Sequence, residues 1–400
     1  MKIVYVGHGR FPTEKAHGHQ IAQVCAAMAR LGHEVTLLTP TVKNSIHVGP
    51  HAYYGLSEAF AVERLENFDA LNSRLVPEPL ALHVSMRSYG RRLVHRLTGS
   101  GVDPLHEPSP PLLPALLSTG IPVAIELHAL PRYGRRAFVR RCNQCALVVC
   151  LTSLMRLELE RWGVDPSRMV VEGDGVDLRP FAQLPSAEEA KEQAEVPASR
   201  TIIGYVGSLP TGDGKDKGVD ELLHAVELLN RREQHRGFLW IVGGPEKARR
   251  AYQELAGHME MQGDVRFEGA VPASAVPGCI AACDVCVYPA PASDDPYFRR
   301  DTSPLKLFEY LAAGKPVVCA ALPPVLDVVD GSTVRLCPPG DPQALMEAID
   351  DVLSNPKDAA ERAARGKEAV RTHSWDERMK RVLDHLDASA VSPRGGDSAS

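Results

Sequence analysis

Two carboxylates eight residues apart, Asp301 and Glu309, flank a segment with the signals of a helix start. Ser303 can cap it, because a serine hydroxyl accepts a hydrogen bond from an orphan N–H one turn on. Pro304 suits the first helical position, where the missing N–H costs nothing. Leu305 and Glu309 then share a face, and helical side chains lean toward the N-terminus, so the Glu309 carboxylate returns toward the cap. A helix N-terminus carries free N–H groups and partial positive charge, which suits a phosphate, while carboxylates accept hydrogen bonds from hydroxyls. The stretch therefore fits a phosphate joined to a group rich in hydroxyls. An amphipathic helix with one acid at its edge would show the same local pattern.

Other residues carry related chemistry. Ile-Ile-Gly-Tyr-Val ends in Gly207 and Ser208, and a loop rich in Gly, Asp and Lys leads to Lys217, Gly218 and a helix from Val219. Lys217 could hold a phosphate, with Lys215 as a competing lysine. His128 closes the strand pattern Ile121 to His128, and ligands of open α/β sheets bind beyond the C-terminal ends of strands. Gly18 directly precedes a helical pattern from Gln20 to Leu31, where a glycine lets a ligand approach the backbone. His8, His17 and His19 lie in or beside that loop, but no carboxylate at ligand spacing joins them into a metal site. Contact of His17 with an acceptor or a phosphate is the alternative. Gly7 and Gly9 form a partial dinucleotide fingerprint, with Pro12 where its third glycine would stand.

The elements that must position these residues alternate between strand and helix. Strands read at 2–7, Glu34–Leu38, Leu105–Pro108, Ile121–His128 and Ala146–Leu151, and again from 202–207 through Phe238–Val242 to Pro316–Ala320. This is the pattern of doubly wound α/β domains. Residues 184–200, rich in Ala, Glu, Lys and Pro, separate an N-terminal domain, 1–183, from a C-terminal one, 201–373. A helix over 374–386 opens with the capping box Ser374-x-x-Glu377, and 388–400 has the composition of a disordered tail. The net charge of −5 gives no general attraction to nucleic acid. No run of about 18 apolar residues is present to span a membrane, and the short apolar N-terminus reads as a strand instead of a signal peptide. Nine cysteines, an odd count over 400 residues, do not form a disulfide framework. The expected location is cytoplasmic. Arg87, Arg91, Arg92 and Arg96, then Arg132, Arg135, Arg136, Arg140 and Arg141, form two basic segments. They read either as solvated helix faces or as a surface for an anionic acceptor or a membrane headgroup layer.

The order of these features resembles one family. The D-x7-E spacing within Asp-Thr-Ser-Pro-Leu-Lys-Leu-Phe-Glu-Tyr-Leu-Ala-Ala-Gly-Lys-Pro-Val-Val resembles the E-x7-E motif of retaining glycosyltransferases of family 4 (glycosyl transferases group 1). Val170 to Asp177 resembles that family's strand followed by Asn-Gly-Val-Asp, with Asp174 for Asn. The resemblance implies a GT-B fold: two Rossmann-like doubly wound parallel-sheet domains facing across a cleft, with the last helix returning to the N-terminal domain. It implies transfer of a sugar from a nucleotide sugar, such as a UDP- or GDP-sugar, to an acceptor hydroxyl with retention and without a metal cofactor. The acceptor would be a glycan, a lipid-linked intermediate or a small molecule, with the basic segments as a peripheral membrane contact at the inner face. By the same resemblance, His128, Asp301 and Lys217 are catalytic. Gly207, Ser208, Lys217, Val271, Ser303, Pro304, Leu305 and Glu309 bind the donor, and Gly18 and His17 lie on the acceptor side. Three positions depart from the pattern: Asp301 for Glu, Asp174 for Asn, and Ser208 for the phosphate-loop Arg. Arg299, Arg300 or Lys306 is expected to replace the last. A nucleotide-sugar epimerase of this fold, a non-catalytic nucleotide-sugar-binding relative and a Rossmann oxidoreductase are the rival readings.

Overall fold

Thirteen strands are formed among the described residues of a computed structural model, which describes 1–57, 60–70, 77–103, 105–107, 110–210 and 215–391. Contacts divide the chain into two units, Met1–Asp174 with the segment from Trp375, and Gly175–Ser374. The first holds β1 (Lys2–Val6), β2 (Glu34–Pro40), β3 (Ala61–Leu65), β4 (Leu105–Glu107), β5 (Val123–Leu127), β6 (Leu147–Cys150) and β7 (Met169–Val171). The second holds β8 (Ile202–Val206), β9 (Phe238–Val242), β10 (Val265–Glu268), β11 (Val285–Tyr288), β12 (Val317–Ala320) and β13 (Arg335–Cys337).

Both sheets are parallel, in the orders β3-β2-β1-β4-β5-β6-β7 and β10-β9-β8-β11-β12-β13. Parallel strands are covered on both faces, so they read as unbroken apolar runs. Ile-Ile-Gly-Tyr-Val of β8 and Phe-Leu-Trp-Ile-Val of β9 are buried at every residue. Side chains alternate across the sheet. Ile202 and Val206 join Phe308 and Tyr310 in one core, while Ile203 and Tyr205 join Leu222 and Val226 in the other. Strand order reverses between β1 and β4 and between β8 and β11. Ligands of doubly wound sheets bind beyond the strand ends at such switch points.

Several expected boundaries move. Residues 184–200 carry the helix Ala187–Gln193, started by a complete capping box of Ser186 and Glu189, and the chain passes between units at Asp174–Gly175. The terminal helix runs Trp375–Val391, beyond the expected end at 386 and into the expected tail. It packs in the first unit against the helix Ala16–Arg30, where Arg30 pairs with Asp376 at 2.6 Å. Pro108, residues 211–214 of the expected phosphate loop and 392–400 of the expected tail lie outside the described residues. The nine cysteines are free, and all but the half-buried Cys279 are buried. Among the described residues no helix is long and apolar enough to cross a membrane.

Candidate active site

The second unit gathers the residues expected to bind phosphate at its switch point, where β8 and β11 end. Gly207 follows β8, and Gly218 precedes the helix Val219–Arg232. Gly218 has φ +72°, and a Cβ there would lie 2.5 Å from the Ala290 nitrogen and 2.7 Å from its Cα. Only glycine lets these two loop backbones meet. Gly243 (φ +154°), after β9, would likewise drive a Cβ into the Gly207 carbonyl.

The helix Leu305–Ala312 is fixed to the end of β8 by two side chains. The Tyr310 hydroxyl donates to the Val206 carbonyl and accepts from the Val206 N–H, both at 2.9 Å. Lys306 donates to the Tyr205 hydroxyl and lies 4.1 Å from the centre of its ring. A Cβ on Gly207 would sit 2.7 Å from the Lys306 Cε, so the lysine stem crosses directly over that glycine. The expected cap differs in one respect. The helix begins at Leu305, with Pro304 as the extended flanking residue (ψ 95°), so Pro304 takes the cap position expected of Ser303 and makes no side-chain bond there. A proline at that place has no side-chain oxygen to accept from the first N–H groups of the helix.

The competing lysines separate by their partners. Lys215 is ion-paired with Asp295. Among the described residues, Lys217 meets the Tyr297 hydroxyl, at 3.5 Å, and the Tyr297 ring, at 5.0 Å. Among the described residues no carboxylate lies within ion-pairing distance of Lys217 or Lys306. Burial and the neighbouring charge of Lys217 hold the Lys306 ammonium well below the usual lysine range. Of the three residues expected to replace the missing arginine, Arg300 is committed to Asp301 and Arg299 is exposed, 3.9 Å from Asp294. Lys306 remains, and it lies over Gly207, one residue from Ser208. Ser208 itself is exposed, and its carbonyl accepts from Tyr205 at 2.7 Å.

The two carboxylates have different surroundings. Asp301 is 6% exposed and takes both Nε (2.6 Å) and Nη2 (3.1 Å) of Arg300; burial raises its pKa against that pairing. Glu309 is half-buried and has no hydrogen bond or ion pair among the described residues. Burial pushes it up to about 7, opposed only by Lys306. Val271 lies on the loop after β10, half-buried against the core of this unit, and a Cβ on Gly244 would lie 3.2 Å from that of the preceding Ala270.

In the first unit, His128 follows β5 and is 35% exposed. Beneath it lies Glu126, a fully buried carboxylate in the apolar centre of β5. Its Oε1 accepts from Gln20 and stands 3.1 Å from the His128 Nε2, while its Oε2 takes Arg378 at 2.9 Å and His106 at 3.1 Å. Desolvation alone would raise this acid, but Arg378 and the two imidazoles hold it well below the usual carboxylate range. His128 is raised in turn: burial lowers it, and the bond to Glu126 more than compensates. His8 and His17 stand with ring centres 6.0 Å apart, and burial and mutual repulsion bring His17 down to about 4. Among the described residues no group of three metal-ligating side chains forms.

Gly18 differs from its expected place. The helix starts at Ala16, so Gly18 is inside it and buried, and a Cβ would collide with Thr13 and the Tyr54 hydroxyl. Its small size serves packing; the His- and Gly-rich first turn has no apolar period to announce it as helix. Beyond the ends of β1, β2 and β3 lies a cavity of about 740 Å³ bordered by Arg10, Phe11, Asn44, His47 and Arg64. Sequence reasoning missed that cavity, and it missed Glu126, Gln20 and Arg378. A lone acid inside the apolar run Val-Ala-Ile-Glu-Leu was the available signal for the first.

Two parallel sheets in these orders, with lysines and a carboxylate at the switch point of the second, define a GT-B architecture. The chain belongs to glycosyltransferase family 4: that family's model matches residues 18–179, and the model described as "Glycosyl transferases group 1" matches 200–355. A GDP-mannose-dependent alpha-(1-6)-phosphatidylinositol dimannoside mannosyltransferase of Mycobacterium tuberculosis is 26% identical over 272 residues, 68% of this chain and 65% of that protein. A D-inositol 3-phosphate glycosyltransferase of Thermomonospora curvata is 27% identical over 239 residues, 56% of this chain and 53% of that one. The chain thus spans under two thirds of the length of these relatives. The crystal structure of Anabaena HepE in complex with UDP superposes with a TM-score of 0.72 at 18% identity, covering 97% of this chain and 100% of that one, a likeness of fold alone.

Proposed function

We propose that the protein transfers a hexosyl group from a nucleotide sugar, such as a UDP- or GDP-hexose, to an acceptor hydroxyl with retention of anomeric configuration. The observation that carries this is the pair Lys217 and Lys306, without carboxylate partners among the described residues, beside Gly207 and the start of the helix Leu305–Ala312. Lys217, the helix start and Lys306, whose charged form a bound diphosphate would favour, supply the positive charge that a departing diphosphate requires, and a metal ion is not needed for it. Glu309 accepts the ribose hydroxyls, and the unfilled lone pairs of Asp301 accept hydroxyls of the transferred sugar while Arg300 holds it in place. Gly207 and Ser208 approach the diphosphate through their backbone, Ser303, Pro304 and Leu305 present the helix start, and Val271 lies against the base.

Retention follows from front-face attack, in which the leaving phosphate takes the acceptor's proton and no side-chain nucleophile is used. Of the first unit's residues, His128 is the proposed catalytic group and His17 the proposed acceptor-side one. The helix Glu78–Leu97 exposes Leu80, Leu82 and Val84 next to Arg87, Arg91 and Arg92, a combination suited to an anionic membrane surface and a lipid-linked acceptor. Sedimentation with anionic and neutral vesicles tests that part.

The decisive experiment is thermal unfolding with UDP, GDP, ADP and TDP and their sugars, since a ligand that binds only the folded state raises stability. A shift with one nucleotide, then donor consumption that depends on acceptor and gives a product of unchanged anomeric configuration with chelator present, is expected. No shift with any nucleotide would sink the proposal. Donor conversion without acceptor would favour an epimerase.

A further inference from the structure

The buried pair Arg378–Glu126 reaches the surface at one place. Glu126 is fully buried, Arg378 is 1% exposed, and His106 is 4% exposed, stacked on Tyr5 at 5.0 Å. A carboxylate has about four lone-pair positions, and Glu126 meets four donor groups: Gln20, His106, His128 and Arg378. Three of the four end in the core. The fourth, His128, is open to solvent beyond the C-terminal end of β5. A network built only to anchor the terminal helix would have no need of an imidazole at its outer edge.

Arg378 also stands where the chain leaves the first unit and returns to it. Its Nε donates to the Gly173 carbonyl at 2.6 Å and its Nη2 to the Glu172 carbonyl at 3.3 Å, one and two residues before Asp174. Arg378 itself follows Trp375, the first residue of the returning segment, by three positions. The terminal helix, which follows the whole second unit in the chain, thereby delivers the counter-charge for an acid in an interior strand, β5, of the first.

We infer that Arg378 and Glu126 are positioning residues for His128, fixing its imidazole with Nε2 inward and Nδ1 outward toward the ligand. This rests on the proposed transferase reading for its use in turnover, though not for its geometry. The bond to Glu126 raises the basicity of the ring, and the charge of Arg378 lowers the acid of Glu126 against the effect of burial. The other groups facing His128 are few: Gln20 and His17 from the helix Ala16–Arg30, His8 from the loop after β1, and Asp174 at the crossing. His8, His17 and Arg378 oppose the charge on His128, and Asp174 supports it together with Glu126.

The test is the titration of His128, followed by NMR of the labelled imidazoles in the full chain, for the wild type, Glu126→Gln, Arg378→Gln and the double variant. The double variant removes both buried charges together, so it keeps the comparison valid if either single variant fails to fold. The His128 midpoint is expected to fall by about one unit or more in Glu126→Gln and in the double variant, the size of a lost hydrogen-bonded counter-charge, while in Arg378→Gln the loss of a neighbouring positive charge opposes that fall. The alkaline limb of the turnover profile is expected to move with the midpoint. An unchanged His128 midpoint in folded Glu126→Gln or in the folded double variant overturns the inference, and so does a lowered midpoint that leaves the alkaline limb in place. Absence of donor consumption by the wild type refutes the transferase reading instead, and the titration then still decides whether the pair positions His128.

Discussion

Replacing Glu309 by Gln is expected to stabilise the unliganded protein while weakening its grip on a nucleotide. Glu309 is half-buried, lacks a hydrogen-bond or ion-pair partner among the described residues and is pushed up to about 7 by burial. The unfolded chain holds the same carboxyl near the ordinary glutamate value, about 4.3. A group whose folded pKa is raised contributes stability that is fully present below its unfolded value and is lost as pH rises through the folded one. At about 1.36 kcal/mol per unit, the loss complete above pH 7 is at most about 3.7 kcal/mol. Partial exposure reduces it, and about 1–2 kcal/mol is expected at pH 8. A neutral glutamine avoids that cost. At roughly 2–4 °C per kcal/mol for a unit of this size, Glu309→Gln should unfold about 2–8 °C above the wild type at pH 8. The gap should shrink at pH 5.5, where the wild-type carboxyl is largely protonated.

Ligand binding should change in the opposite sense. Ribose hydroxyls donate to an ionised carboxylate, and such a bond contributes about 1.5–3 kcal/mol, roughly a 10- to 100-fold change in affinity. The variant should therefore lose about that much affinity for the nucleoside diphosphate at pH 8 and less at pH 5.5. Thermal and urea unfolding at both pH values, with and without nucleotide, reads all four quantities. A variant less stable than the wild type at pH 8, or a gain in stability equal at both pH values, would refute the reasoning.

Three further outcomes follow from the same site. Lys217→Ala and Lys306→Met should each lower kcat/KM for the donor by about 10²–10³, the range for losing one charge-stabilising group, with native far-ultraviolet circular dichroism retained; full turnover by Lys217→Ala would remove it from the diphosphate. Gly218→Ala forces a Cβ to within 2.5 Å of the Ala290 nitrogen at φ +72°, so it should destabilise the second unit by about 2 kcal/mol or more in urea unfolding. Asp301→Asn leaves Arg300 without its bidentate partner and should cost about 1–3 kcal/mol of stability, with donor turnover falling at least tenfold in a steady-state assay.

Much of the architecture could be read before any coordinates. Parallel strands buried on both faces leave unbroken apolar runs, so Ile202–Val206, Phe238–Val242 and Val317–Ala320 stood out with nearly correct ends. Boundaries set by polar local chemistry were harder. The first turn of the helix Ala16–Arg30 has no apolar stripe, and the helix Ala187–Gln193 is rich in Ala and Glu like a linker, though Ser186 and Glu189 carried a cap signal within it. The spacing of Asp301 and Glu309 was legible because both lie within one short segment. Glu126 was written in plain view as an acid inside a buried strand, but its meaning depends on a partner 252 residues away.

The sequence by itself determined what local periodicity and spacing can carry: two runs of alternating strand and helix, glycines at strand ends, and a helix start flanked by two acids. Only the tertiary structure decided how charge is distributed among them. It gave Lys215 to Asp295 and Arg300 to Asp301, and it left Lys217 and Lys306 without carboxylate partners among the described residues. It also brought Lys306 over Gly207, where the phosphate-loop arginine expected from the family is replaced by Ser208, and it carried Arg378 back to Glu126. The physical reason is that an ionisable group is defined by its desolvation and by the charges within a few ångströms. Those neighbours are set by the packing of strands and helices far apart in the chain, which local spacing does not encode.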